Sequence, residues 1–164
     1  MPVALQPVMP TDSMAQQLGP LPPTLSTLFG PSLAAVIRQG RERAYPTGHA
    51  MPKAIRAKLA PFFARTVLEG VRYVMSREAA AEGTVSQVLL STGAVEAVTF
   101  GDVIVFRDAQ RASDPLLWAH ELVHVEQYRR LGVEAFASQY LQQPWVLEKE
   151  ASAKADMIKG QLSR

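Results

Sequence analysis

Leu116-Leu117-Trp118-Ala119-His120-Glu121-Leu122-Val123-His124-Val125-Glu126-Gln127 is the stretch on which the reading of this chain turns. It reads as helix over about residues 116–130, with Gly132 to close or bend it. Residues four apart share one face of a helix, so His120 and His124 point at one spot. That spacing suits two nitrogen ligands of a tetrahedral zinc ion. Glu121 lies beside that face, within reach of water as a general base. Leu117, Gln127 and Leu131 continue the face that carries the histidines. The chain has three histidines in all, and two of them sit in this HExxH motif.

Two histidines rarely complete a zinc site, which usually has three protein ligands. His49 lies far upstream in a Pro/Gly connection and reads as an exposed loop residue. A glutamate on a following helix is the alternative, and Glu148 and Glu150 both qualify. The final helix is expected over about 146–162, with Leu147, Ala151, Ala155, Ile158 and Leu162 as its apolar stripe. Glu148 lies about 60° from the centre of that stripe and Glu150 about 100°. Glu148 is therefore the favoured third ligand. A solvated carboxylate at a helix N-terminus is the plain alternative for either. Gln127 and Tyr140 are placed to hydrogen-bond a ligand or the reacting groups, as is Tyr128. Buried packing is the favoured role of the two tyrosines, and Trp118 reads as core.

Composition narrows the classes. The 164 residues are 48% hydrophobic, ordinary for one domain with a core. A net charge of +2 is too small to argue for nucleic acid or an anionic membrane. The chain has no cysteine, which excludes disulfides and thiolate metal sites. No apolar run is long enough to span a membrane. No basic, continuously apolar leader opens the chain, which predicts a cytoplasmic protein or one exported by a non-classical route.

The first 31 residues hold seven prolines and read as an extended arm. A short helix over 32–43, capped by Ser32, completes an arm of residues 1–45 ahead of a domain of residues 46–164. The arm is expected to be dispensable, so a chain starting near Arg43 should fold. A helical period covers 53–69, with Pro61 splitting it or starting its second half. A strand is expected over 71–75, an alanine-rich helix over 76–90, and a hairpin around Phe100-Gly101-Asp102. Residues 108–115 read as a polar loop, and 133–141 as helix ended by Pro144. The fold class is α+β, mainly helical, with a small sheet or hairpin packed against the HExxH helix. The strand 103–106 is a candidate to pair with an extended substrate.

Four blocks in this order carry a resemblance. They are Met51-Pro52-Lys53-Ala54-Ile55-Arg56-Ala57-Lys58-Leu59, Gly70-Val71-Arg72-Tyr73, Ala97-Val98-Thr99-Phe100-Gly101-Asp102-Val103-Ile104-Val105-Phe106, and Trp118 through Gln127. Over residues 51–155 the chain resembles the extracellular contractile injection system (eCIS) core-domain family. That family in turn resembles gluzincin-type zinc metallopeptidases. The resemblance implies a zincin-like fold, with His120, His124 and Glu148 as Zn2+ ligands and Glu121 as base. It implies a protein or peptide substrate, with injection-system components as possible partners. A metallopeptidase is the first reading. The alternatives are an inactive metal-binding cargo or assembly module, and a metal-free fold in which the motif is coincidental.

Overall fold

The computed structural model describes residues 23–77 and 95–164. It opens with helix α1 (Pro23–Ala44), a 3-10 turn (Tyr45–Thr47) and strand β1 (His49–Ala50). Helices α2 (Lys53–Leu59) and α3 (Arg65–Gly70) and strand β2 (Arg72–Met75) follow. Next come β3 (Ala97–Phe100), β4 (Val103–Phe106) and the short α4 (Ala109–Ala112). The chain closes with α5 (Pro115–Leu131), α6 (Val133–Gln142) and α7 (Pro144–Leu162). The fold is α+β, mostly helical, with one small mixed sheet of order β1-β2-β4-β3.

The β3–β4 hairpin turns at Gly101-Asp102, pairing Phe100 with Val103. Gly101 has φ 65° and no non-glycine residue among those described has positive φ, the pattern of a II′ turn. β4 also pairs in parallel with β2, from Arg72 with Val103 to Met75 with Phe106. Both sides of β4 are thus occupied, which corrects its expected role in substrate pairing. The edge strand beside the HExxH helix is β3.

Alternation along the strands divides the core in two. Ala97, Ile104 and Phe106 face Trp118, Leu122, Ile55, Ala151 and Ile158. Val98, Phe100, Val103 and Val105 face Ala34, Ile37, Phe136 and Ala137. With both faces covered, every residue of β3 and β4 is buried. α5 is buried on all sides from Leu117 to Val125, which marks a central helix. Asp114 caps it through Leu116 N–H, and Gly132 (φ 79°) ends it.

Several boundaries differ from the sequence reading. α1 runs through Pro31 and starts nine residues before Ser32. A proline inside a helix loses one backbone bond, and packing of α1 on α6 offsets that loss. Ala34, Ile37 and Ala44 are buried there. Gly40 lies so close to Phe100 that a Cβ would come within 2.9 Å of its ring. The connection at His49 contains β1, and the loop before α5 contains α4, capped by Asp108. Pro61 separates α2 from α3. Pro144 ends one helix by opening the next, at the first-turn position where its missing N–H costs nothing. Residues 1–22, and the alanine-rich helix from residue 78 onward, lie outside the described residues. No helix among the described residues is long and apolar enough to cross a membrane.

Candidate metal centre

Helix α5 supplies both histidines of the motif, and their ring centroids lie 5.1 Å apart. Glu148 comes from the second turn of α7, which packs along α5. Its Oε2 is 3.1 Å from His120 Nε2, and its Oε1 is 3.4 Å from His124 Nε2. All three residues are buried, and they offer ligand atoms within 4.8 Å of one another. Two atoms bound tetrahedrally at about 2.0–2.1 Å from one ion lie about 3.3–3.4 Å apart. The two separations from Glu148 to the imidazoles, one from each carboxylate oxygen, lie near that spacing. Two imidazoles and one carboxylate are also the donor set expected of a divalent ion. This buried group could hold a metal ion.

The electrostatics follow from burial. For His124, burial alone favours the neutral ring, but the Glu148 carboxylate, 3.4 Å from its Nε2, outweighs it. Its pKa rises to about 9. For Glu148, burial works against the carboxylate, and the bond to His120 with the nearby His124 ring overcomes it. They hold the group well below the usual carboxylate range. Tyr140 on α6 donates to Glu148 Oε1 at 3.1 Å. Burial, then the Glu148 charge, pushes its hydroxyl well above the ordinary tyrosine value.

Glu121 is fully buried on the side of α5 that faces the sheet. Its Oε2 accepts a 2.6 Å hydrogen bond from Thr99 Oγ1 on β3. Its Oε1 is buried and has no hydrogen-bond partner among the described residues. Gln127 Oε1 lies 2.8 Å from His124 Nδ1, and its amide nitrogen donates to the Leu147 carbonyl.

A family model described as the eCIS core domain matches residues 50–132, just over half of the chain. The chain belongs to the eCIS core domain family. Glu148 and the last two helices lie beyond the stretch matched to the eCIS core domain, so the place of Glu148 rests on the geometry above. No curated protein and no solved structure matches the chain.

The structure brings His120, His124 and Glu148 together, with Gln127 bonded to His124 and Tyr140 to Glu148, while Glu121 follows His120 on α5 and bonds Thr99. Glu150 is half-exposed and pairs with Arg130 and Gln127, while Lys154 pairs with Glu126. His49 is exposed on β1, against Tyr73. The Tyr128 hydroxyl is committed to the Thr99 carbonyl at 3.1 Å, and its ring stacks on Phe136. The Trp118 ring nitrogen donates to the Ala112 carbonyl. Thr99 went unseen in the sequence, because a single threonine in a strand signals nothing until the strand is placed against α5.

Proposed function

We propose that this domain is a zinc-dependent metallopeptidase, with His120, His124 and Glu148 as metal ligands and Glu121 as general base. The observation that carries this reading is one carboxylate oxygen, Glu121 Oε1. It is buried and without a hydrogen-bond partner among the described residues, on the helix that carries His120 and His124. A divalent ion bound there supplies Lewis acidity toward a carbonyl and toward water. Glu121 Oε1 takes the proton from the attacking water and delivers it to the leaving nitrogen. Thr99 holds the other oxygen of Glu121 through the transfer. Tyr140 orients Glu148, and Gln127 fixes the ring of His124. The substrate class is a protein or peptide, and the domain acts with a contractile injection system.

A second reading has a specific observation in its favour. His120, Glu121, His124, Gln127 and Glu148 are each at most 4% exposed. A centre so enclosed suits a metal held for the fold of a cargo or assembly module.

Elemental analysis of protein purified without added metal, combined with a peptide-hydrolysis assay, separates the readings. Stoichiometric zinc with turnover that disappears in Glu121→Gln, the metal being retained, is the result expected of the peptidase. Zinc without turnover supports the module. Protein that stays metal-free after zinc loading and dialysis removes both.

A further inference from the structure

Gln127 reaches the metal group through His124, and what fixes Gln127 comes from outside that group. Its amide nitrogen donates to the Leu147 carbonyl at 3.0 Å and to Glu150 Oε2 at 3.0 Å. Both partners are acceptors only, so the NH2 end must face them and the amide oxygen must face His124. An oxygen in that position accepts, so His124 Nδ1 carries a proton. The lone pair of a neutral His124 ring then sits on Nε2, the nitrogen 3.4 Å from Glu148. Glu150 is itself held in a fork by Arg130, with two bonds of 3.0 Å.

We infer that Glu150 and Arg130 are positioning residues for the metal group: a surface ion pair that, through Gln127, sets which nitrogen of His124 faces Glu148. This rests on the reading of His120, His124 and Glu148 as ligands. The chain runs from Arg130, whose side chain is 54% exposed, to the fully buried Gln127 and on to His124. An exposed ion pair ordinarily contributes little to stability. Stability and metal affinity can therefore be read apart.

The test compares wild type with Glu150→Leu, Glu150→Gln and Arg130→Met. Glu150→Gln loses the charge but keeps an oxygen for the Gln127 amide. Glu150→Leu removes the acceptor and keeps water from replacing it. Zinc affinity by chelator competition should fall about tenfold in Glu150→Leu, at the lower end for partners that orient a ligand. It should stay near wild type in Glu150→Gln. Arg130→Met should shift it the same way by less, and no shift there removes Arg130 from the chain. A merely structural salt bridge would be lost equally in Glu150→Leu and Glu150→Gln, so equal affinities in those two overturn the inference.

A second readout needs no metal. Nitrogen-15 NMR of metal-free protein labelled at histidine, recorded at a pH where the ring is neutral, should show the remaining His124 proton on Nδ1. Its exchange with water should be faster by about tenfold or more in Glu150→Leu only, in line with the affinity loss expected for such a partner. A wild-type ring without that proton overturns the inference whatever the metal does. If the NMR pattern appears but wild type retains no zinc, the ligand reading falls and the orienting chain stands.

Discussion

Thr99 Oγ1 donates to Glu121 Oε2 across 2.6 Å, joining the edge strand of the sheet to the middle of the HExxH helix. Both residues are buried, so solvent cannot replace the bond. The same threonine accepts from Tyr128 through its carbonyl. β3 is thus tied to α5 at two points, seven residues apart along the helix. The bond leaves Oε1 as the oxygen of Glu121 without a partner among the described residues.

Thr99→Val keeps the shape of the side chain and removes the donor. A buried carboxylate oxygen that loses its partner costs about 1–3 kcal/mol. Urea unfolding should show that loss in Thr99→Val and a smaller one in Thr99→Ser, which keeps the hydroxyl. Equal stability of Thr99→Val and wild type would mean that Glu121 finds another donor.

Glu148 and Glu150 should separate cleanly on metal binding. Glu148 meets both imidazoles, whereas Glu150 bonds Gln127 and Arg130. Glu148→Ala should weaken zinc binding by at least about tenfold, the typical loss for a metal-site partner. Glu150→Ala opens its position to solvent, where water accepts from the Gln127 amide, and should leave affinity nearly unchanged. Chelator competition on both variants decides this, and the reverse order would make Glu150 the ligand.

How far these features were legible depends on the range of the contact. His120 and His124 are set by local helix geometry, and the i, i+4 rule places them. Glu148 was readable from the phase of a single helix, because Leu147, Ala151 and Ile158 mark its inner side. The hairpin was readable from Gly101 and the β-rich runs around it. The parallel pairing of Arg72 with Val103 was not, since nothing local records which distant strand fills the other side of β4. Ser32 reads as a helix cap after a proline-rich arm, and the tertiary packing of α1 on α6 carries the helix back through Pro31. The partners of Glu121 and Gln127 come from other elements, so their roles emerged only with the fold.

The packing of α1 predicts the outcome of truncation. A chain starting near Arg43 loses Ala34 and Ile37 from the core and uncovers Val98 and Phe100. It also loses the fork from Arg41 to Asp102, with bonds of 2.6 and 3.1 Å, that ties α1 to the hairpin turn. Burying one Ile side chain contributes about 1.5–3 kcal/mol, so the truncation should cost about 3 kcal/mol or more in all. The expected result is a lower urea midpoint or aggregation, against a control starting at residue 23 that keeps every described contact. A chain from residue 43 as stable as that control would show α1 to be the dispensable arm its prolines suggest.

The metal-free protein should have a pH optimum set by His124 and Glu148. The His124 pKa is raised in the fold, from 6.5 to about 9. Its contribution is therefore complete below about 6.5 and is lost as pH rises through about 9. The Glu148 pKa is lowered in the fold from 4.5. Its contribution is complete above about 4.5 and is lost as pH falls toward its depressed value. The two together place maximal stability of the metal-free state between about pH 4.5 and 6.5, with a decline toward pH 9. Glu148→Gln removes the charge that favours the His124 proton, so the decline should flatten in that variant. Urea midpoints measured with chelator from pH 5 to 9 test this. A wild-type midpoint that holds constant from pH 6.5 to 9 would show that Glu148 does not stabilise a charged His124 in the folded chain.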